Sequence, residues 1–297
     1  MLFRSHHSNL VPWQMLKRLK GVTLRFLPVD GNGVLDLSRV EEFITPATKL
    51  VAVSHASNVT GAVTDVEAIG KVAREMGVKL MLDGAQMAPH GPLDLPALGA
   101  DFYVFSGHKT YGPSGVGILW GSIESLEKMP PVFGGGEMIE HVAFEKSTYA
   151  APPHKFEAGT PPITQAVGLG AALEWLGNQD LLEIHNHLDG LTDQIMAGME
   201  NLNSAYDDRI RILGPPRGEK RLPLISFAVR DAHPHDICQI MNDRHGVALR
   251  GGHHCAQPLH EIFDLDGTTR ASLGIFNGQR DVDALLNGLE DCLNILV

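Results

Sequence analysis

The sequence has few cysteines, no cluster of basic residues and no long apolar run, and each shortage excludes a class of protein. Its three cysteines are too few and too scattered for a disulfide framework or a zinc module, which predicts a reducing compartment. Lys and Arg number 24 against 35 Asp and Glu, a net charge of −11 that argues against nucleic acid as a partner. No run approaches the ~20 apolar residues of a membrane span, and the first residues lack the apolar core of a signal peptide. We therefore expect a cytoplasmic enzyme that acts on small molecules and does not bind membranes.

The 297 residues suffice for one large and one smaller domain. Strands and helices alternate up to Lys109, which is typical of an α/β domain around a mainly parallel sheet, and the pattern changes after that residue. The strands predicted in the first part of the chain are 23–28, 49–55, 78–82, 102–105 and 116–120, and the helices are 12–19, 37–43, 66–76 (capped by Asp65) and 163–175. The second part predicts a smaller α+β domain, with strands at 210–213, 224–229, 247–250 and 269–275 and helices at 181–202, 234–244 and 280–295.

Two of the buried strands end abruptly in polar residues. The strand 78–82 is followed by Asp83-Gly84-Ala85-Gln86, and the strand 102–105 by Ser106-Gly107-His108-Lys109. Ligands of open α/β sheets bind outside the carboxyl ends of the parallel strands. The carboxylate of Asp83 and the amine of Lys109 are therefore expected to face one ligand.

Lys109 is the first candidate for chemistry. A lysine held in a partly desolvated site can lose its proton and form a Schiff base with a carbonyl, although a structural salt bridge is the alternative. Asp83 favours the Schiff base, because a lysine together with an acid that pairs with a pyridinium nitrogen is the arrangement that pyridoxal phosphate needs. Gln86, Ser106 and His108 add donors suited to the same cofactor, while each alone could be an ordinary polar turn residue.

Cys255 is the second candidate. It follows two glycines and two histidines in Arg250-Gly-Gly-His-His-Cys-Ala, where a reachable thiol near Arg250 and imidazoles would favour the thiolate. Zinc is disfavoured because adjacent residues point in different directions and no spaced Cys/His pair completes a tetrahedral site. A buried structural cysteine is the more serious alternative. Arg270 suits recognition of a carboxylate or a structural ion pair, and His7 alone would indicate a tag or a solvated tail.

Together these motifs, with Phe156-Glu157-Ala158-Gly159-Thr160-Pro161, resemble the SufS/CsdA-type (group II) cysteine desulfurases. These are fold-type I pyridoxal 5'-phosphate enzymes of the class V aminotransferase family, and the resemblance covers essentially the whole chain. It implies a large domain that binds the cofactor at 1–175 and a small C-terminal domain at 176–297 that carries the cysteine loop. Relatives carry a segment ahead of the position of His6, so the resemblance also implies an N-terminally incomplete large domain.

The resemblance implies a role in cofactor binding for several residues. Lys109 would bind pyridoxal phosphate covalently, Asp83 would pair with the ring nitrogen, Gln86 would contact the ring hydroxyl and His7 would stack on the ring. Three residues would bind the phosphate, the last of them from the other subunit of a homodimer: Ser106, His108 and Thr160.

The resemblance also implies how the substrate is handled. Asn58, beside the cofactor, and Arg270 would hold the substrate carboxylate, and Cys255 would attack the sulfur of L-cysteine, leaving L-alanine and an enzyme persulfide. A sulfur-acceptor protein would then carry the sulfur to iron–sulfur cluster assembly. L-selenocysteine is the alternative substrate within the same chemistry, and a non-catalytic remnant is the alternative from a different class.

Overall fold

The first sheet has four strands in the order β1-β2-β3-β4 in the computed structural model, which describes residues 5–297. The strands are β1 (Leu50–Ser54), β2 (Lys79–Asp83), β3 (Phe102–Ser106) and β4 (Gly117–Gly121). The first three run parallel, and β4 is antiparallel to β3. Val53, Leu80 and Leu82 are fully buried, as expected of apolar strands covered on both faces. The mainly parallel sheet predicted from the sequence is confirmed.

Five α-helices lie within residues 5–177. They are α1 (Val11–Lys20), α2 (Val40–Phe43), α3 (Val66–Glu75), α4 (Ile123–Lys128) and α5 (Ile163–Gly177). In α3 the buried residues Val66, Ile69 and Ala73 recur at helical spacing and join the core of the sheet. The predicted cap is confirmed, because the Asp65 carboxylate accepts a hydrogen bond from the Ala68 amide at 3.0 Å. The predicted domain boundary at 175/176, which stays a prediction, falls at the end of α5.

The second sheet is antiparallel and has the strand order β7-β8-β10-β9. Its strands are β7 (Ile210–Leu213), β8 (Leu224–Val229), β9 (Arg250–Gly252) and β10 (Thr268–Ser272), and its helices are α6 (Leu181–Ala205), α7 (Pro234–His245), α8 (Gln257–Phe263) and α9 (Gln279–Leu296). Ile195 of α6, Phe227 of β8 and Leu289 of α9 are fully buried in one core. A hairpin, β5 (Ile139–Val142) and β6 (Ser147–Tyr149), lies between the two sheets in the sequence.

Two predicted strands are wrong in kind or position. Residues 23–28 contain one isolated bridge residue, Leu27, and no strand, and the neighbouring Val29 pairs with Leu35 across a turn closed by Asp30. The strand predicted at 247–250 begins only at Arg250. The preceding residues terminate α7 instead: Gly246 is left-handed, and the Val247 amide donates to the carbonyl of Met241.

Residues 57–62, which follow β1, join the two sheets. The Ser226 hydroxyl of β8 donates to the carbonyl of Val59 at 2.6 Å, and the Leu222 amide donates to the carbonyl of Gly61 at 2.8 Å. Arg221 is buried beside them and donates to several carbonyls, including those of Pro215 and Leu224. Because these bonds start at the carboxyl end of β1, the second sheet is fixed directly against the edge where the candidate site lies.

Candidate active site

The carboxyl edge of the first sheet places Asp83 and Lys109. In the strand register Asp83 lies between Ser54 of β1 and Val104 of β3, so its side chain is at the end of the central parallel strands. A short 3-10 helix, Gly107–Lys109, follows β3 directly and is closed by the Thr110 amide, which donates to the carbonyl of Gly107. This tight turn fixes the backbone of Lys109 at the same edge.

Asp83 and Lys109 perturb each other. Burial raises the pKa of the Asp83 carboxyl, and the hydrogen bond from the Ala85 amide and the positive charge of Lys109 oppose that rise. Burial lowers the pKa of Lys109, the charge of Asp83 opposes it, and Arg270 and Arg250 lower it further. A lysine whose neutral amine is favoured in this way can attack a carbonyl group.

The turn after Asp83 has no room for a side chain at Gly84. A Cβ added there would overlap the ring of Tyr103, which is fully buried on β3. The Tyr103 hydroxyl lies 3.2 Å from His55 Nδ1, and the backbone amide of His55 donates to the carbonyl of Asp83 at 2.8 Å. Tyr103 and His55 therefore pack against the Asp83 turn. This packing restricts the orientation of the Asp83 carboxylate.

Cys255 lies on a short loop between β9 and α8 with an unusual backbone. His254 and Cys255 are both left-handed, at φ 51° and 58°, a conformation that costs free energy for residues with a side chain. An Arg250 N–H donates to Cys255 Sγ at 3.4 Å. The Asn58 side-chain amide donates to the carbonyl of His254 at 2.7 Å, and the His7 amide donates to the carbonyl of Cys255 at 2.7 Å. The half-buried thiol is thus held between the two sheets.

The structure brings most of the predicted site residues together. Arg270 donates to the carbonyl of Asn58 at 2.9 Å. The charges of Asp83, Arg270 and Cys255 each shift the pKa of Lys109, which shows that these groups lie near its amine. Ser106 ends β3, and Gln86 is half-buried in the Asp83 turn. Two residues predicted to bind phosphate are exposed, His108 beside Lys109 and Thr160 ahead of α5. The structure does not bring Thr160 to this cluster by any hydrogen bond within residues 5–297.

The sequence reasoning missed His6. Its half-buried imidazole has a pKa lowered by burial and next by the charge of Lys109, followed by the charges of His7 and the arginines 250 and 270. The ring of His7 is engaged elsewhere, because its Nε2 accepts a hydrogen bond from the Gln257 amide at 3.2 Å. The geometry therefore favours His6 over His7 beside the lysine. Two adjacent histidines give no signal in the sequence that would separate them.

These residues fit pyridoxal phosphate. A desolvated amine and a buried carboxylate interact across the end of one sheet, an imidazole lies beside the amine, and the Ser106 hydroxyl follows the neighbouring strand. Those groups match an aldehyde, a pyridine nitrogen, an aromatic ring and a phosphate. Within residues 5–297 no three His, Cys, Asp or Glu side chains converge as metal ligands, and no helix there has the length and apolarity to cross a membrane.

Comparison with known proteins agrees with this geometry. Residues 4–285 match the family model described as aminotransferase class-V. A probable cysteine desulfurase of Streptomyces coelicolor is 47% identical over 97% of this chain and 68% of its own length, and one of Halalkalibacterium halodurans is 43% identical over 96% and 68%. The crystal structure of the cysteine desulfurase CsdA from Escherichia coli matches with a TM-score of 0.92 and 37% identity, covering 99% of this chain and 71% of that one.

The fold and the site thus define a fold-type I enzyme that depends on pyridoxal phosphate. The chain belongs to the class V aminotransferase family, and its similar relatives in that family are named cysteine desulfurases. The predicted family, fold class and cofactor are confirmed.

Proposed function

We propose that the chain converts L-cysteine to L-alanine and takes up the sulfur as a persulfide on Cys255. The observation that carries the proposal is that the pKa of Lys109 is lowered by burial and raised in part by the nearby acidic groups of Asp83 and Cys255, and that Cys255 Sγ accepts a hydrogen bond from Arg250. The names of the similar relatives support the same activity. When bound, pyridoxal phosphate withdraws electrons from the α-carbon of an amino acid.

The residues at the sheet edge would bind the cofactor and move one proton. Lys109 would attach to the aldehyde carbon and, once released by the substrate, would take the proton from its α-carbon. Asp83 would keep the ring nitrogen protonated, and the His6 imidazole would lie against the ring. Gln86 would contact the ring hydroxyl, and the phosphate would be held by Ser106 and His108.

The second sheet would supply the substrate carboxylate site and the nucleophile. Arg270, with Asn58, would bind the carboxylate. The Cys255 thiolate would form a bond to the sulfur of the substrate while the carbon–sulfur bond breaks. The electron pair of the broken bond stays with carbon, which becomes the methyl group of alanine after protonation. L-cysteine and one enzyme thiol therefore give L-alanine and one enzyme persulfide.

The chain would work as a homodimer in the cytoplasm and pass its sulfur to an acceptor protein for iron–sulfur cluster assembly. The exposed Thr160 would reach the phosphate bound in the other subunit. Several large apolar side chains near it in the sequence are solvent-exposed, which supports a covered surface in a dimer. They are Phe133, Phe144, Ile163 and Val167.

Two substitutions test the proposal. Lys109→Ala should abolish the visible absorption band of the bound cofactor and all alanine formation. Cys255→Ala should keep the band and lose the persulfide, measured by mass spectrometry after L-cysteine is added. Sulfur release from L-cysteine at the full rate by Cys255→Ala would refute the assigned nucleophile.

If that variant acted only on L-selenocysteine, a selenocysteine lyase would be the better description. A folded protein that binds no cofactor would be a non-catalytic remnant.

A further inference from the structure

Thr268 lies at the start of β10, beneath the loop that carries Cys255. It is fully buried, and its hydroxyl oxygen lies between two buried imidazoles, 2.9 Å from His254 Nε2 and 3.0 Å from His260 Nε2. Thr268 and His260 take no part in the site described above, and His254 enters it only through its backbone. A hydroxyl carries one hydrogen, so it donates to one ring and accepts from the other.

The contact of His260 with Ala256 sets the direction of both bonds. His260 Nδ1 lies 3.1 Å from the carbonyl oxygen of Ala256, and because a carbonyl only accepts, Nδ1 carries the hydrogen. Burial lowers the pKa of both rings, that of His254 to about 3, which favours the neutral form of each. His260 Nε2 then carries no hydrogen and accepts a hydrogen bond from the Thr268 hydroxyl. Thr268 in turn accepts from His254 Nε2–H, which leaves His254 Nδ1 without a hydrogen.

This chain of hydrogen bonds encloses the nucleophile. His254 and Ala256 are the two neighbours of Cys255, and both are tied to one hydroxyl, the first through its own ring and the second through His260. The bond from Asn58 to the His254 carbonyl fixes the same turn from the first sheet. Left-handed residues with side chains persist only where their surroundings hold them, and His254 and Cys255 are such residues.

We propose that Thr268 is a positioning residue for the thiol: by fixing the hydrogen-bonding direction of His254 and His260, its hydroxyl holds the left-handed turn that presents Cys255 Sγ to the substrate sulfur. The inference rests on the proposed function for its catalytic consequence. The placement of the thiol itself does not depend on that function.

Thr268→Val tests the hydroxyl, because valine keeps the shape of the side chain and removes the hydrogen bonds. The expected result is an intact cofactor band and persulfide formation in a single turnover that is slower by about tenfold, because both His254 Nε2 and His260 Nε2 lose their buried hydrogen-bond partner. Thr268→Ser should restore the rate. The matched control is Thr269→Val, since Thr269 is equally buried on the same strand and its hydroxyl donates to Pro234 instead. Equal rates for Thr268→Val and the wild type would overturn the proposal, as would a defect that serine fails to rescue.

Two readouts are independent of turnover. Nitrogen-15 spectra of histidine-labelled protein should show His254 protonated at Nε2 and His260 at Nδ1, and Thr268→Val should disturb both signals. Alkylation of Cys255 by iodoacetamide, followed by peptide mass spectrometry, should change in rate in Thr268→Val but not in Thr269→Val. If wild-type protein formed no alanine yet showed these changes, the proposed function would fail and the role of Thr268 would stand.

A second variant covers the case in which Thr268→Val does not fold. His260→Phe keeps an aromatic ring and cuts the same chain of hydrogen bonds at its other end. It should keep the cofactor band and change the alkylation rate of Cys255 relative to the wild type. A wild-type alkylation rate in His260→Phe would overturn the proposal.

Discussion

The carboxyl edge of the first sheet and the cysteine loop hold their reactive groups by different means. Asp83 and Lys109 are fixed by strand register and by a turn of 3-10 helix, both of which are backbone structures. Cys255 lies on a left-handed turn that is fixed by contacts from Asn58, His7 and Arg250. A backbone framework tolerates most changes of side chain, whereas two of the three contacts to the loop come from the side chains of Asn58 and Arg250, and only that of His7 is a backbone hydrogen bond. Single substitutions should therefore move the thiol more easily than they move the cofactor site.

Asp83→Asn removes the carboxylate and leaves the backbone framework in place. Turnover of L-cysteine should fall by about 10²- to 10³-fold, because the amide cannot keep the ring nitrogen protonated. The cofactor should remain attached to Lys109, which its absorption band shows. Steady-state alanine formation measures the fall in turnover. Retention of more than half the wild-type turnover would show that Asp83 does not face the ring nitrogen.

Gly84→Ala tests the framework itself. The added methyl group would overlap the Tyr103 ring, so the free energy of unfolding should fall by about 1–3 kcal/mol. Chemical denaturation followed by circular dichroism measures this change. Gly134→Ala is the matched control, because nothing lies within 4 Å of a Cβ added there. Equal stability of the two variants would contradict the close contact between the Asp83 turn and Tyr103.

His6→Ala and His7→Ala separate two neighbouring rings that belong to different regions of the site. His6→Ala should weaken cofactor retention by about tenfold through loss of a ring contact. His7→Ala should leave cofactor retention close to wild type and change the alkylation rate of Cys255, because the His7 ring accepts from the Gln257 amide next to the cysteine loop. Dialysis against cofactor-free buffer gives the first quantity. The opposite assignment of the two effects would restore His7 to the stacking role.

The pH dependence of cofactor attachment to Lys109 should show a smaller effect, a shift of its midpoint to lower pH. Because burial lowers its pKa, the pH midpoint for attachment should lie below the ordinary value of 10.5. Asp83 partly opposes that shift, so Asp83→Asn should move the midpoint to still lower pH. Stopped-flow absorbance at a series of pH values measures both midpoints. A midpoint at or above 10.5 in the wild type would mean that the amine is solvated rather than desolvated.

The sequence predicted best where a pattern is local. Apolar runs that end in polar residues located β2 and β3, and Asp65 marked the start of α3, because burial and capping act within a few residues. Residues 23–28 have the composition of a strand, but strand formation depends on continuous pairing with a neighbour that the composition does not specify. At 247–250 the strand prediction did not take account of Gly246, whose left-handed conformation ends α7 and turns the Val247 amide back to the carbonyl of Met241.

The candidate site shows the same limit. Asp83 and Lys109 were predictable because parallel strands bring their carboxyl ends to one edge of a sheet. The different roles of His6 and His7 depend on which ring accepts the hydrogen bond from the amide of Gln257, a residue 250 positions after His7. Thr268 carries no motif at all. Its relation to His254 and His260 exists only once β10 passes beneath the cysteine loop.

Residues 57–62 determine how the two reactive regions are aligned. Four successive carbonyl groups in this segment each accept a hydrogen from the second sheet or its flanking residues: those of Asn58, Val59, Thr60 and Gly61. Because successive residues of the segment are hydrogen-bonded, the insertion or deletion of one residue would move the carbonyl acceptors out of register with their four donors. Most surface loops absorb such changes in length. Because all four acceptors are backbone carbonyls, we expect this segment to tolerate a change of side chain better than a change of length, which would shift the second sheet and its cysteine loop relative to Lys109.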